Sequence, residues 1–583
     1  MNVRFPRLLL LFPSWLAFVL YLPALSHGLV WDDLYFLTDQ PYLRDPGLWW
    51  GQLRQPLFVS GNYFRPLPLL TFVAEARLGV MNPFVFHLVN VLLHALNTGL
   101  VVALARRLGC GAMAACGAGL LFALHPALVE SVCWVSDRFD LLMAVFLFAA
   151  LWTGDRIRHG AVRGLAVGSL FFLALLSKET AIILLALLPL FQMAAWRASG
   201  QPLRTMDLRL WLRRAWPAWV GLLPALLVYL ILRESALAGL YQADAQMVAG
   251  NVLQHLLLVG KTLGLYLSLL VWPFGRISPV HPAPTPVMPG DVAAWLGLAA
   301  TVLLTLMLIW QRRRPVPVLL GLMGLVALAP VSNLVPLTIG DNLVQDRYLL
   351  LPVAFAALAL ASLWQPGRMP RRWGVAWMSW CVACAFSVAL AIPHWAGNLT
   401  LWRWAYAQAP ESHVAQENLL GVLANAGLDE EALAVGAPML ARRPEQPALM
   451  HNMALAEMRL GRLAAAESRV RAVLSRLSGD SPKVRMDRSE AWNLLGYILM
   501  GEQRRDEAER ALRESVTLSP YLSRPHFNLA LLYFQQGRDV EAEREMAFVR
   551  RYDTPQMAAV HEARLRELRA TLAARITPRD PQK

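Results

Sequence analysis

Charged residues are scarce in this chain. Only 16% of its 583 residues are Asp, Glu, Lys or Arg, whereas 56% are hydrophobic and the mean hydropathy is +0.42. Soluble domains carry about 25% charged residues. The composition therefore argues against a soluble protein and predicts a polytopic membrane protein that is long enough for more than one domain.

Cysteine is also rare. The five cysteines lie in or beside apolar runs, with neither zinc-site spacing nor a disulfide framework. Cys381 and Cys384 have a C-x-x-C spacing, but inside an apolar segment, where packing is a better interpretation than redox chemistry. The sequence shows no metal-ligand cluster of suitable spacing and no glycine-rich phosphate loop. We therefore expect no metal, no cofactor and no soluble nucleotide.

The basic residues are distributed as in a membrane protein. The formal net charge is +14, but the arginines are not interleaved with aromatics along a stripe, so nucleic-acid binding is not expected. Arginine clusters instead separate apolar runs, as the positive-inside rule predicts for cytoplasmic loops. These clusters are Arg106-Arg107, Arg213-Arg214, Arg312-Arg313-Arg314 and Arg371-Arg372, and Arg4 and Arg7 place the N-terminus on the same side. The richness in Ala, Leu and Arg favours a bacterial inner membrane.

Twelve apolar segments are candidates for membrane spans, each of which needs about 20 residues. The segments are 8–25, 87–105, 111–125, 139–154, 163–177, 180–196, 216–232, 252–272, 292–310, 316–331, 347–364 and 374–393. The first is interpreted as a retained signal anchor. Segment 252–272 contains Gln254, His255 and Lys261, and a full crossing there would put Arg312–Arg314 outside. We interpret it as re-entrant or interfacial, which leaves about eleven spans in an all-α membrane domain over residues 1–394, with a first outer loop over about 26–86.

A repeat of about 34 residues begins after residue 395, and this period and pattern are typical of tetratricopeptide repeats. Four copies share a register of small and bulky residues; they begin near Gln416, Met450, Trp492 and His526, with a polar insert at Ser478–Arg488. The sequence predicts an α-solenoid over 395–575 on the periplasmic side. Such arrays bind peptides or proteins, although a purely structural or dimerising role stays open.

Two adjacent carboxylates, Asp32 and Asp33, follow the first apolar segment directly. Ionisable groups at membrane depth are costly, so they are candidates for function. A carboxylate there can serve as general base for a hydroxyl acceptor whose co-substrate is a lipid of the same bilayer. The alternative is an ordinary polar loop at the end of a span.

Further polar residues lie at the same predicted membrane face. Cations there would hold the phosphate of a lipid-linked sugar and stabilise its charge as it leaves; the candidates are Arg65, Arg138, Lys178 and Arg347. Residues that could orient substrates accompany them, namely His125, Glu130, Asp140 and Glu179. Structural alternatives are a helix-capping ion network around Asp137, Arg138 and Asp140, a self-neutralising Lys178–Glu179 pair, and a helix cap at His125.

The ordered set of motifs resembles the integral-membrane GT-C glycosyltransferases with tetratricopeptide tails, among them the eukaryotic transmembrane-and-TPR-containing protein O-mannosyltransferases. The motifs are Trp31-Asp32-Asp33, Asp39-Gln40-Pro41-Tyr42-Leu43, Tyr63-Phe64-Arg65-Pro66-Leu67, Phe86-His87-Leu88-Val89-Asn90, Leu124-His125-Pro126, Glu130-Ser131-Val132, Arg138-Phe139-Asp140, Ser177-Lys178-Glu179, Ser332-Asn333-Leu334 and Asp346-Arg347-Tyr348. The sequence departs from the pattern at Gln40, where the family has Asn, and at the inserted Phe64.

This resemblance implies an inverting transfer of a single sugar, mannose or a similar one, from a polyprenyl phosphate to a hydroxyl on the outer face. The expected acceptor is Ser or Thr of a protein presented by the repeats. Asp33 or Asp32 would be the base, and Arg347, Arg138 and Lys178 would hold the donor phosphate. Glu130 and His125 would orient substrate, and Arg65 would support the acid pair. Two alternatives stay open: the same chemistry on a glycolipid or polysaccharide, and a non-enzymatic scaffold.

Overall fold

The structure is a computed structural model that describes residues 7–38, 40–57, 63–79, 81–200, 208–237, 250–334, 341–364 and 371–576. Of the residues used above, Arg4 and Asp39 lie outside these ranges. The chain divides into two compact units. The membrane unit comprises Met1–Asp33 and Leu53–Ala415, and the repeat unit comprises Leu34–Gln52 and Gln416–Lys583. The predicted division at 394/395 did not anticipate that part of the first loop groups with the repeats.

The predicted all-α class is confirmed. The first sixteen helices are α1 Phe12–Leu20, α2 Trp49–Leu53, α3 Pro66–Gly79, α4 Pro83–Arg107, α5 Ala112–Leu124, α6 Val129–Cys133, α7 Arg138–Arg156, α8 Gly160–Ser177, α9 Leu184–Ala198, α10 Leu208–Leu237, α11 Val252–Val271, α12 Val292–Trp310, α13 Pro315–Leu328, α14 Leu350–Leu363, α15 Arg371–Ala391 and α16 Asn398–Gln408. In the described ranges one small antiparallel pair of strands accompanies them, β1 His281–Pro282 and β2 Asn342–Val344.

The chain is a multi-pass membrane protein. Nine helices in the described residues are long and apolar enough to cross a membrane, or ten if a bent pair counts as one span. That pair is Ala112–Leu124 with Pro126–Cys133, bent by 56° where Pro126 interrupts it. All twelve predicted apolar segments coincide with helices. Helix α7 carries Arg138, Asp140, Asp155 and Arg156 at its ends, and α13 is short, so these two fall outside the count.

Helix α11 is continuous, without the break that a re-entrant loop would need. Its first turn places His255 Nε2 3.1 Å from the Leu334 carbonyl, and the Leu270 carbonyl near its other end lies 3.2 Å from His125 Nε2. Leu334 follows α13 and His125 follows α5, at ends that are predicted to face outward. Both ends of α11 therefore contact one face of the bundle, which favours the interfacial interpretation although its length would allow a crossing.

Helices α8 and α10 pack through glycines that allow their backbones to touch. A Cβ added at Gly164 would lie 2.6 Å from the Pro217 carbonyl oxygen, and one at Gly168 would collide with the backbone of Gly221. Neither backbone can yield as a flexible side chain would. This close approach leaves no room for a side chain on α8 at these positions.

Gly164→Ala is expected to destabilise the membrane unit by about 1–3 kcal/mol, because the added methyl group forces the two backbones apart. Thermal unfolding of the protein in detergent measures the effect. Gly374→Ala is the matched control, since nothing lies within 4 Å of a Cβ built there. Equal melting temperatures for the two variants would contradict the packing described.

The repeat unit has the predicted arrangement of antiparallel helix pairs. Its helices are α17 His413–Ala426, α18 Asp429–Arg442, α19 Pro447–Arg459, α20 Leu463–Arg476, α21 Pro482–Gly501, α22 Arg505–Leu518, α23 Ser523–Gln535, α24 Asp539–Tyr552 and α25 Pro555–Ile576. The four pairs from α17 to α24 match the four predicted copies, and α25 follows as a further helix. Most of the supposed polar insert, from Pro482 onward, is the first part of α21 and lengthens that helix.

The turn inside each pair needs a left-handed backbone. Gly427, Gly461 and Gly537 occupy this position with φ between 73° and 76°, where glycine has no steric penalty. In the third pair Gln503 takes the same role at φ 62°. The turn is thus made by glycine in three pairs and by glutamine in one.

The segment Leu34–Gln52 is held by hydrogen bonds within the repeat unit. Arg44 donates from Nη1 to the Tyr552 carbonyl at 2.5 Å, and Arg551 donates to the Asp45 carboxylate at 2.8 Å. Arg44 also donates to the carbonyl of Thr38 at 2.8 Å. The final helices of the array therefore pack against residues that directly follow the acid pair in sequence.

Candidate active site

The acid pair follows a bulky residue in a strained conformation. Trp31 has φ 54°, a left-handed backbone that aromatic residues seldom adopt and that costs about 1–3 kcal/mol. Its ring stacks on Trp134 at 4.6 Å and meets Trp402 edge-on at 5.1 Å. Its backbone N–H donates to Asn398 Oδ1 at 2.7 Å. These contacts hold the turn that positions the two aspartates.

Asp33 is completely buried and fully engaged. Its Oδ1 accepts from the Ser136 backbone N–H at 2.7 Å and from Ser136 Oγ at 2.5 Å, and its Oδ2 accepts from the Val30 N–H at 3.1 Å. Burial raises the pKa of the Asp33 carboxyl to about 7, against the opposing effect of these hydrogen bonds. The side chain links the first loop to the segment directly before α7. Its contacts are therefore those of a structural residue.

Asp32 differs from Asp33 in its exposure and in its hydrogen bonding. It is half-buried, and within the described part of the chain its carboxylate accepts no hydrogen bond. Burial raises its pKa to about 6, and the positive charge of Arg347 partly offsets this rise. Asp32 is therefore the more available of the two carboxylates.

Arg347 connects the acid pair to the bent segment. Its backbone N–H donates to Glu130 Oε2 at 3.0 Å, its Nη1 forms an ion pair with Glu130 Oε1, and its Nε lies 3.6 Å from Asp137 Oδ1. The guanidinium lies 5.0 Å from the ring of Trp134 and 5.0 Å from the ring of Tyr348. Glu130 thus orients a cation whose positive charge acts on Asp32.

Lys178 forms the second cation of the cluster. Its Nζ donates to Asp140 Oδ2 at 2.5 Å and lies 4.6 Å from the centre of the Tyr348 ring. Lys178 and Arg347 therefore share one aromatic ring. Burial and the neighbouring Asp140 carboxylate raise the pKa of Asp137, which lies among these charges. The Lys178–Glu179 pair predicted as an alternative does not form, because Lys178 bonds to Asp140.

Arg65 bonds to Glu179 rather than to the acid pair. It donates from Nε and Nη2 to the two carboxylate oxygens at 2.9 and 2.5 Å, and its guanidinium lies 4.6 Å from the Tyr63 ring and 5.0 Å from the Phe139 ring. This geometry corrects the predicted support of Asp32 and Asp33 by Arg65.

Arg138 has no exposed surface and all its donor groups are occupied. Nε bonds to Asn90 Oδ1 at 2.9 Å, Nη1 to Thr71 Oγ1 at 3.1 Å and to Glu75, and Nη2 to the Phe86 carbonyl at 2.7 Å. The guanidinium joins α3, α4 and α7. The geometry speaks against the predicted contact of Arg138 with a donor phosphate and supports a scaffold role.

His125 is also turned away from the cluster. Its Nδ1 accepts from the Ala127 N–H at 3.3 Å, which caps the turn after Pro126, and its Nε2 donates to the Leu270 carbonyl. Both ring nitrogens are thus occupied, and the helix-cap alternative matches the structure better than the predicted role in orienting substrate.

Several residues at this site were not anticipated from the sequence. Glu75 and Ser136 hold Arg138 and Asp33, and His281 Nε2 bonds to Asp346 at 2.8 Å. Glu75 could have been identified from the sequence, because it is the single acid in the apolar helix α3. No local pattern indicates Ser136. Around Arg347, three buried polar atoms have no hydrogen-bond partner in the described ranges: Trp134 Nε1, Asp137 Oδ2 and Gln345 Oε1. Such orphans are rare, and a bound polar ligand is one way to satisfy them.

Several known proteins are similar to parts of this chain. A tetratricopeptide repeat model matches residues 489–521. The protein O-mannosyl-transferases Tmtc1 and Tmtc2 of Drosophila melanogaster are each 38% identical, over 188 and 203 residues, which cover 30% and 31% of this chain and 21% of each relative. Human protein O-mannosyl-transferase TMTC2 is 34% identical over 161 residues, 26% of this chain and 19% of the relative.

The chain spans about a fifth of the length of the curated relatives it matches. Among solved structures, a thermophilic TPR protein of Thermus thermophilus covers 34% of this chain and 96% of its own, at 23% identity and a TM-score of 0.24, which is too low to support an argument. The resemblance inferred from the motifs is confirmed: this multi-pass, all-α membrane protein with tetratricopeptide repeats is similar, over part of its length, to the TMTC protein O-mannosyl-transferases.

Proposed function

We propose that this chain is an inverting glycosyltransferase of a bacterial inner membrane. It moves one sugar, mannose or a similar hexose, from a polyprenyl phosphate to Ser or Thr of a protein on the outer face. The observation that supports this best is Asp32, an available carboxylate on which the charge of Arg347 acts, together with the contact of Arg347 and Lys178 with the same Tyr348 ring. The relatives are protein O-mannosyl-transferases by name, and this supports mannose as the sugar and a protein as the acceptor.

In the proposed reaction Asp32 takes the proton of the acceptor hydroxyl. The acceptor oxygen forms a bond to the anomeric carbon while the bond from that carbon to the phosphate oxygen breaks, and the electron pair leaves with the phosphate. A single displacement of this kind inverts the anomeric centre. Lys178 and Arg347 stabilise the charge that develops on the leaving phosphate.

The remaining residues position these groups. Asp33 fixes the turn that presents Asp32, Glu130 and Asp140 hold the two cations, and Arg65 and Glu179 close the other side of Lys178. The unpartnered atoms of Trp134, Asp137 and Gln345 provide one donor and two acceptors for sugar hydroxyls. No metal or cofactor takes part in this scheme, and the lipid-linked sugar is a substrate. The tetratricopeptide repeats present the protein acceptor.

The proposal is tested with purified protein in lipid vesicles. The donor is radiolabelled undecaprenyl-phosphate mannose, and the acceptor is a periplasmic protein extract. Label that enters protein supports the proposal, whereas label that enters only lipid indicates a glycolipid acceptor. If a panel of other polyprenyl-phosphate sugars also gives no turnover, the protein is not a glycosyltransferase of this kind.

The pH dependence of transfer should report the titration of Asp32. A general base acts only when it is deprotonated, and the pKa of Asp32 is raised to about 6. We expect kcat/KM to be constant above that pH and to fall about tenfold for each unit below it. A profile that stays flat down to about pH 5, which is still above the ordinary pKa of an aspartate, would contradict Asp32 as a base with this raised pKa.

A further inference from the structure

A large basic cavity lies at the ends of five helices of the membrane unit. Its volume is 860 Å³, and the ends of α4, α7 and α9 and the beginnings of α8 and α10 enclose it. The arginines that line it are Arg107, Arg156, Arg158, Arg163 and Arg213. Among the described residues, the only acid in the lining is Asp155, which pairs with Arg107. The lining residues that the structure describes therefore carry a net formal charge of +4 at neutral pH.

The cavity is at the opposite end of the bundle from Asp32. Helix α7 begins with Arg138 beside the candidate active site and ends at Arg156, and α8 runs back from Gly160 to Ser177, next to Lys178. A helix of 19 residues is about 28 Å long. This length matches the hydrocarbon core of a bilayer, about 30 Å, so the cavity lies at the head groups of the other leaflet.

An apolar groove leads away from this cavity into the membrane. It has a volume of 700 Å³ and runs along the line where α8 and α10 pack together at Gly164, Gly168 and Gly221. Gly160 and Pro217 line both the groove and the basic cavity, so the two adjoin at these residues. The basic cavity and the apolar groove next to it are the polar and the apolar half of one candidate site.

We propose that this site binds an anionic phospholipid of the leaflet opposite the candidate active site. The arginines hold the phosphate and its head group, and one acyl chain lies in the groove. Along α8 the groove extends from Gly160 to Phe172, which is about 18 Å at 1.5 Å per residue. That is close to the depth of a single leaflet, about 15 Å, and suits an acyl chain better than a long polyprenyl chain. Basic pockets between transmembrane helices bind such head groups elsewhere.

The walls of the cavity are held by contacts between neighbouring helices. Gln192 accepts from Trp219 Nε1 at 3.1 Å and donates to the Gly154 carbonyl at 3.4 Å, which joins α9 to α10 and to α7. Arg156 lies 4.6 Å from the ring of Trp152. The cavity is thus built by packing between helices and differs from a loose cluster of loop arginines.

Binding of phosphatidylglycerol to the full-length protein in detergent tests this proposal, by native mass spectrometry and by thermal stabilisation. Phosphatidylglycerol, but not phosphatidylcholine, should bind and raise the melting temperature. Replacing Arg158 and Arg213 together with glutamine should weaken binding about 25-fold, since each basic residue near an anionic head group contributes about fivefold. The matched control is Arg312→Gln with Arg313→Gln, two arginines that do not line the cavity.

The apolar half of the site needs its own variant. Ser169→Phe should fill the groove and displace the lipid, whereas Val162→Phe, on the same helix but outside the groove, should not. If the two double-arginine variants lost affinity for phosphatidylglycerol equally, diffuse surface charge would explain binding and the proposal would be overturned. It would also be overturned by equal stabilisation by inorganic phosphate, tighter binding of undecaprenyl phosphate, or unchanged binding in Ser169→Phe. None of these readouts depends on sugar transfer.

Discussion

Asp32→Asn is expected to lower the rate of sugar transfer by about 10²–10⁴-fold, the usual contribution of a positioned general base. The amide keeps the size of the side chain but cannot take a proton. Because the Asp32 carboxylate accepts no hydrogen bond from the described residues, the fold should be unaffected and the melting temperature unchanged. Donor binding should also remain, since the groups that hold the phosphate are not altered.

Asp33→Asn is the matched control, one residue away. Its amide can still accept the two bonds from Ser136, but if it does, the amide nitrogen is set against the Val30 N–H that now donates to Oδ2. We expect a loss of stability of about 1–3 kcal/mol and a smaller loss of transfer. If Asp33→Asn were instead inactive and normally stable while Asp32→Asn remained active, the roles of the two aspartates would be reversed.

The second large effect concerns stability. Arg138→Met is expected to destabilise the membrane unit by about 3–5 kcal/mol, because it leaves the buried Glu75 carboxylate without its cation. Asn90 and the Phe86 carbonyl lose a donor in the same change. Thermal unfolding in detergent and the yield of folded protein measure the result.

Removing both charges of the Arg138–Glu75 pair distinguishes a structural role of Arg138 from a role in binding the donor. The double variant Arg138→Met with Glu75→Leu should recover a large part of the lost stability, since a buried ion pair can be replaced by apolar residues at little cost. If Arg138 instead bound the donor phosphate, the single variant would keep its melting temperature, the KM for the donor would rise, and the second substitution would not restore it.

Much of the fold follows from patterns that are local in sequence. Apolar runs of about 20 residues and a 34-residue period identify the helices of both units, because hydrophobic length and repeat register depend on neighbouring residues alone. The insert before Trp492 was misjudged for the same reason, since its polar residues lie on the exposed part of a lengthened helix.

The candidate site was predictable in composition but not in pairing. The outer loops did supply the charged residues that meet, yet the partner of each was not evident from its neighbours. Lys178 bonds to Asp140 and not to the adjacent Glu179, and Arg138 bonds to Glu75 and not to its neighbour Asp137. The choice between Asp32 and Asp33 depends on Ser136, which lies far along the chain, and on the left-handed turn at Trp31, which no pattern of neighbouring residues indicates.

The repeat unit is discontinuous, since Leu34–Gln52 from the first loop packs with the helices at the end of the chain. A single crossover at the junction after α16 would separate this array from the loop segment with which it packs. A transplanted tail would meet a first loop that lacked partners for Arg551 and for the Tyr552 carbonyl. Repeats taken from another protein would therefore have to be transplanted together with the loop segment that carries Arg44 and Asp45.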